Sequence, residues 1–330
     1  MARANLGRSH PLGRRLPPQP QDGHQAPARP PLTLRTSSVA PRVMSDCRSY
    51  ELLDFGAGRK LERFGRYIVD RPAPAAEGAS RENLDVWNEA SARFERTAKS
   101  VGHWEALEPI DEDWTIQLGP LTLALKLTDS GQVGVFPEQA DNWRWIEQQV
   151  REAGPIELLN LFGYTGASTL AAAAAGARVV HVDAARSAVV WARRNAELSG
   201  LSEAPIRWIV DDALQFARRE LKRGRHYDAI VLDPPAYGQG PGGKRFKLEH
   251  DLGDLLDVCR QLGGGSERFW LLTCHTEPLA DKEALADCFA AHHPAWLKRG
   301  ILRSEAMGLS SPGGLVLPGG AAVRASRDVC

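Results

Sequence analysis

The sequence predicts an α/β protein: a doubly wound, Rossmann-like open sheet over residues 154–330, preceded by a small β-rich domain over 49–153. Three observations predict it. Short apolar runs alternate with helical patterns beyond Pro155. The first run ends in a glycine-bearing turn and the second in an acid, Asp183. Ahead of them, three strand-like pieces are separated by turn residues.

Taken in chain order, residues 49–112 are punctuated by Gly56, Gly58, Gly65, Pro72 and Pro74 and read as a loop-rich lead-in. Trp114–Leu118, Leu121–Leu127 and Gln132–Phe136 read as a β-meander, broken at Gly119-Pro120 and Asp129-Ser130-Gly131. A helix over Gln139–Ala153 follows. Strands are expected at Ile156–Leu161, Arg178–Val182, Ile206–Val210, Tyr227–Leu232 and Phe269–Thr273. Helices over Ala167–Ala175 and Ala185–Leu198 fall between the first three. Continuous apolar strands are buried on both faces, which implies a parallel sheet.

Hydrophobic residues make up 43% of the 330 and charged residues 25%, as in an ordinary soluble domain. Lys+Arg and Asp+Glu are both 41, so the formal net charge is zero. A protein that grips long nucleic acid by its phosphates carries a basic excess, so any such contact here is local. The five cysteines show no metal-ligand spacing and imply no metal; they read as reduced thiols of a cytoplasmic protein. No apolar run reaches the roughly 18 residues of a spanning helix, so no membrane partner is expected. Residues 1–48 hold eight prolines and eight arginines, no lysine, and only Asp22 and Asp46 as acids. They read as a disordered extension. Such composition fits an organelle transit peptide or translated upstream sequence with Met44 as the start, and the proline density favours the second.

The chemistry gathers at strand ends, where open α/β sheets bind ligands. Gly163 and Gly166, in the turn Asn160-Leu-Phe162-Gly-Tyr164-Thr165-Gly166, let backbone approach a ligand; by itself a glycine after a strand is weak. Asp183, 17 residues beyond Gly166, can accept hydrogen bonds from both hydroxyls of a ribose. The competing reading is that it caps the next helix. Asp212 can accept from an adenine amine, or cap its own helix, or both. Asp233-Pro234-Pro235-Ala236-Tyr237 closes the fourth strand as a rigid extended wall, because each proline fixes φ and holds the residue before it extended. Such a wall can fix a planar amine or nucleobase.

At these residues the chain resembles the class I S-adenosylmethionine (SAM) dependent methyltransferases related to bacterial large-subunit (23S) ribosomal RNA methyltransferases, including those that make 5-methylcytosine. They carry Asn-Leu-Phe-x-Tyr-Thr-Gly, Val-Asp, Ala-x-x-Asn-x-x-x-x-Gly and Asp-Pro-Pro. The counterparts here are Asn160–Gly166, Val182-Asp183, Ala192–Gly200 and Asp233–Pro235, and Val133–Asn142 resembles the segment before the SAM domain. The resemblance implies a seven-stranded methyltransferase sheet and SAM as cofactor. It places Asn160, Phe162, Gly163, Tyr164, Thr165, Gly166, Asp183, Asp212 and Asp233 around SAM, with Gln139 closing the site. It implies ribosomal RNA as substrate, with Asp233, Pro234, Pro235 and Tyr237 at the acceptor.

Two departures bear on the acceptor. No equivalent of the family's PUA-type RNA-binding module is visible in residues 49–112. Members acting on carbon 5 of cytosine need a cysteine nucleophile after the fifth strand, and that place reads Leu272-Thr273-Cys274-His275-Thr276. Cys274 is the candidate; the competing reading is a small buried hydrophobe. If it is inert, the target is a base nitrogen, with Tyr237 stacking on the base. Lys244-Arg245-Phe246-Lys247 reads as an RNA-contacting or simply solvated loop. Trp143 and Trp145 either border the cleft or pack the small domain. Methylation of a protein or small molecule, and a non-catalytic SAM-fold binding protein, stay open. An NAD-dependent oxidoreductase would prefer Gly-x-Gly-x-x-Gly and has no use for Asp233-Pro234-Pro235. Oligomeric state is not legible.

Overall fold

The computed structural model describes residues 50–98, 101–239 and 245–327; the extension over 1–48 and Lys244 lie outside the described residues. Five strands come first: β1 (Tyr50–Gly56), β2 (Arg59–Phe64), β3 (Tyr67–Pro72), β4 (Ala92–Ala98) and β5 (Val101–Ala106). They form one sheet in chain order, antiparallel except for the β3–β4 pair. This corrects the loop-rich reading of 49–112. The strands escape the period-2 pattern because they bury charge: Asp54, Glu62, Asp70 and Arg71 are all buried. Each is paired. Arg71 Nε donates to Glu62 Oε2 at 2.5 Å, Arg59 Nε to Asp70 Oδ1 at 2.6 Å, and Trp87 Nε1 to Asp54 Oδ2 at 2.7 Å. Burial opposes ionisation of Glu62, but Arg71 and Lys60 lower its pKa to about 2.

The hairpin β6 (Thr115–Leu118) and β7 (Leu121–Ala124) follows, but Gln132–Phe136 is not a third strand. Its backbone pairs back at its start, with Thr128 N donating to Gln132 O at 3.1 Å and Lys126 N to Val133 O at 3.2 Å, and then turns away. Gly134 (φ 107°) accepts Thr165 Oγ1 at 2.6 Å, and an added Cβ there would stand 2.2 Å from the Trp191 ring. A 3-10 turn at Pro137–Gln139 leads into α1 (Ala140–Ala153).

The main sheet then unfolds in order: β8 (Glu157–Leu161), α2 (Ala167–Ala174), β9 (Arg178–Asp183), α3 (Arg186–Leu198), β10 (Ile206–Val210), α4 (Ala213–Lys222) and β11 (Ala229–Leu232). A small hairpin of β12 (Tyr237–Gln239) and β13 (Arg245–Lys247) leads to α5 (Leu248–Gly263), β14 (Phe269–Cys274), α6 (Lys282–His292) and α7 (Trp296–Arg299). The chain closes with β15 (Ile301–Ser310) and β16 (Val316–Ser326). The seven strands lie in the order β10-β9-β8-β11-β14-β16-β15. The first five are parallel, while β16 runs antiparallel to both neighbours, so the sheet is mixed rather than wholly parallel. β15 and β16 are absent from the sequence reading because Leu317-Pro318-Gly319-Gly320 reads as loop. The proline is tolerated because β14 pairs with β16 only from Ala321 onward, leaving Pro318 beyond the inner ladder.

Period-2 alternation buries both faces of the sheet. On β14, Trp270, Leu272 and Cys274 enter the core under α4, α5 and α6, while Phe269 and Leu271 enter the one under α1. The chain leaves β8 towards β9 and β10, then returns to build β11 and β14 on the other side. The crevice at that switch point, between the carboxyl ends of β8 and β11, is where this architecture binds ligands.

Candidate active site

A cavity of 530 Å³ opens at the switch point. Phe162, Asp183, Asp212, Asp233–Ala236 and His275 are among its walls. A recess of 40 Å³ adjoins it beside Asn160–Gly166, bordered by Gln139 and Trp143. The larger volume suits a small-molecule ligand, for which pockets run from about 300 to 1,000 Å³.

One half of the site is backbone. Leaving β8, the chain takes positive φ at Phe162 (59°), Tyr164 (48°) and Gly166 (92°). Positive φ in two non-glycine residues is uncommon and strained, and such strain concentrates at ligand sites. Gly163 is glycine for space: an added Cβ would lie 2.4 Å from the His181 ring. Gly166 begins α2 at 3.0 Å from the Ala192 side chain by the same construction. Asp183 accepts from Tyr164 N at 2.9 Å and Ala185 N at 2.8 Å. Those donors orient the carboxylate and leave acceptor capacity towards the cavity. Burial raises its pKa, and the two backbone donors only partly offset that. Tyr164 is pushed up to about 12, chiefly by burial. Asp212 caps α4, accepting from Gln215 N at 2.9 Å, and also lines the cavity.

Asn160 and Thr165 hold the turn from below. Asn160 Nδ2 donates to Thr169 Oγ1 at 2.8 Å, and the Thr165 hydroxyl is spent on Gly134. Both side chains are buried.

The other half is built from side chains of three distant elements. Asp233 Oδ1 accepts from Thr273 Oγ1 at 2.5 Å and faces His275 Nε2 at 3.2 Å; Oδ2 accepts from Gln139 Nε2 at 3.2 Å. Asn142 Nδ2 donates to Gln139 Oε1 at 2.6 Å, which fixes the amide with its nitrogen towards Asp233. Burial would raise the Asp233 pKa, but His275, Thr273 and Gln139 together lower it. Pro234 is buried and Pro235 exposed along the wall. Tyr237 is 63% exposed and lies between the cavity-lining Ala236 and Gly238.

Cys274 lies near Asp233 but is not among the residues that line the cavity or the recess. Its side chain is fully buried in the core on the opposite face from Thr273, and its thiol points at Thr276 O at 3.5 Å. Burial raises its pKa, which disfavours the thiolate a nucleophile needs. Phe246 is likewise buried, packed on Phe162 at 4.9 Å between ring centroids, so it is no surface stacking platform. Trp143 borders the recess, whereas Trp145 packs on Phe269. Phe136, Thr273 and His275 fall within the segments Val133–Asn142 and Leu272–Thr276 but were given no role from the sequence. Among the described residues no cluster of His, Cys, Asp and Glu could hold a metal ion, and no helix is long and apolar enough to cross a membrane.

A family model described as S-adenosylmethionine-dependent methyltransferase matches residues 73–296. The crystal structure of a SAM-dependent methyltransferase from Agrobacterium tumefaciens is 36% identical, with a TM-score of 0.78 over 84% of this chain and 90% of that one. Ribosomal RNA large subunit methyltransferase K/L of Syntrophotalea carbinolica is 34% identical over 52% of this chain and 23% of its own. Ribosomal RNA large subunit methyltransferase I of Aeromonas salmonicida is 30% identical over 39% of this chain and 32% of its own. The matched segments thus span about a quarter to a third of those two curated relatives.

Proposed function

We propose that this chain, which belongs to the S-adenosylmethionine-dependent methyltransferase family, methylates a nitrogen of a nucleobase in RNA, with ribosomal RNA as the first candidate and the cytoplasm as the place of reaction. The residues fit the cofactor. Asp183 is oriented by two backbone donors with acceptor capacity left over, as a ribose diol requires, and Asp212 sits where an adenine amine would reach it. Gly163 and Gly166 bring backbone, not side chain, to the recess. Bound there, SAM supplies an electrophilic methyl group.

The chain's own residues handle the acceptor. A carboxylate offers about four lone-pair sites, and three are taken at Asp233. The remaining capacity faces the cavity and can accept an N–H of a base amine, turning the nitrogen lone pair towards the donor side. Pro234 and Pro235 keep that wall from flexing. Tyr237, exposed at the rim, offers a stacking face. Alignment of the two reactants supplies most of the rate. In this reading residues 49–153 wall the cofactor and 154–330 carry the catalytic sheet.

The observation that carries the nitrogen assignment is the pair of adjacent residues on β14. Thr273 faces the cavity side and grips Asp233, while Cys274 faces the core. RNA as acceptor rests on the two curated relatives. The test is transfer of radiolabelled methyl from SAM to RNA, protein and small-molecule extracts, by wild type and Cys274→Ala. Label in RNA that survives Cys274→Ala supports the proposal. Label in RNA that disappears in a folded Cys274→Ala variant points to carbon 5 of cytosine. Label confined to protein or small molecules overturns the RNA acceptor.

A further inference from the structure

We infer that His275 is a positioning residue of the acceptor site, held as an imidazolium between Asp233 and the Gly319 carbonyl so that it fixes the Asp233 carboxylate and ties the C-terminal strand pair to the catalytic wall. The inference rests on the reading of Asp233 given above.

Both ring nitrogens face acceptors. Nδ1 lies 2.6 Å from Gly319 O, and Nε2 lies 3.2 Å from Asp233 Oδ1, with Gln139 Nε2 also at 3.2 Å. A backbone carbonyl has no proton to give, so Nδ1 must donate. The two amide hydrogens of Gln139 have Asp233 Oδ2 at 3.2 Å and Thr273 Oγ1 at 3.3 Å as acceptors, which leaves Nε2 to donate to the ionised Asp233. A ring donating from both nitrogens is protonated. The charged groups facing it are Asp233, at the end of β11, and Glu138, in the turn before α1; Thr273 and Thr276 on its own segment are neutral. Burial alone would lower the His275 pKa, but the Asp233 charge and hydrogen bond, with Glu138 and the Gly319 carbonyl, raise it to about 9.

A second observation is steric. Gly320 (φ 105°) brings β16 so close that an added Cβ would meet Cys274 O at 2.3 Å and His275 Cα at 3.0 Å. An added Cβ at Gly319 would meet Glu138 Cβ at 3.1 Å. Gly320 lets β16 come close enough to deliver the Gly319 carbonyl to His275, an approach that a side chain at 320 would block and one at 319 would crowd. The late, antiparallel part of the fold thereby reaches the acceptor site. His275 loses its second donor as pH rises through about 9, and Asp233 then loses one of its three supports.

Two measurements test this on the full chain. In histidine-labelled protein followed by NMR, His275 should titrate near 9 and fall towards 6.5 in Asp233→Asn. A wild-type midpoint at or below 6.5, or one unmoved by Asp233→Asn, overturns the inference; this readout needs no RNA. In methyl transfer to RNA, wild-type kcat should fall as pH rises through about 9. His275→Gln, which keeps one donor but no titrating proton, should lower kcat by up to about 100-fold and lack that alkaline fall, with KM for SAM nearly unchanged. A His275→Gln profile that keeps the fall overturns the positioning role. If wild type labels no RNA while His275 still titrates near 9, the RNA reading fails and the His275 assignment stands.

Discussion

Asp183 and Asp233 end two strands of one sheet and line one cavity, yet they are held in opposite ways. Asp183 is held by backbone amides, one two residues away and one in the adjoining turn, and burial leaves its pKa raised. Asp233 is held by side chains of Thr273, Gln139 and His275, and its pKa is lowered. A backbone-held carboxylate keeps its place whatever the neighbouring side chains are, which suits a cofactor common to a family. A side-chain-held one can be retuned by single substitutions, which suits a wall that must match one acceptor. The sign of each shift sets its pH window. Asp183 disfavours its ionised form on folding, so that cost is full above its raised pKa, shrinks as pH falls through it, and is gone only below the usual carboxylate value. Asp233 favours its ionised form, so its contribution is present above the usual carboxylate value and is lost as pH falls through its lowered pKa.

The comparison breaks most sharply at Asp233. Asp233→Ala should lower kcat about 100-fold or more while leaving SAM affinity near wild type, because it removes the acceptor contact and not the cofactor contact. Single-turnover methyl transfer beside calorimetric SAM binding reads both. Equal losses in the two would erase the division of labour. Asp183→Ala should do the converse. Losing hydrogen bonds to a charged group, at about 1.5–3 kcal/mol, corresponds to SAM binding weaker by roughly 10–100-fold. Unchanged affinity in calorimetry would remove Asp183 from the cofactor site.

Gly163→Ala tests the backbone half without touching a charge. The added methyl has no room beside the buried His181 ring, and denaturant unfolding should show a loss of about 1–3 kcal/mol. A neutral outcome would mean the turn can shift, so that it is less fixed than Asp183 requires. Cys274→Ala is the smallest. The lost sulfur leaves a small cavity worth about 1 kcal/mol of stability, with methyl transfer within roughly threefold of wild type, as expected for a core residue of ordinary effect. Complete loss of transfer in the folded variant would return Cys274 to the nucleophile's role.

The two carboxylates also differ in how far they could be read from residues alone. The position of Asp183 was legible because its geometry is local: a turn, a short helix and a strand tip at regular spacing. Asp233 was legible as a rigid wall, since the two prolines act on their own backbone. Its partners were not, because Gln139 is 94 residues away and Thr273 is 40. The same limit hid β1–β5, whose buried Glu62, Asp70 and Arg71 make sense only as pairs across strands. It also misplaced Gln132–Phe136, which is strand-like in composition but leaves its pairing with Lys126 and Thr128 after Val133, where Thr165 takes the Gly134 carbonyl.

By itself the sequence determined the alternating α/β order, the place of the glycine turn after β8 and the acids at the ends of β9, β10 and β11, because periodicity, glycine and proline act over a few residues. Only the tertiary structure decided that Thr273 and not Cys274 joins the site, that His275 has two acceptors, and that a late antiparallel strand supplies one of them. Those outcomes depend on which face of β14 meets the crevice and on how closely β16 approaches it. Both are set by packing between segments far apart in the chain, where no local pattern reaches.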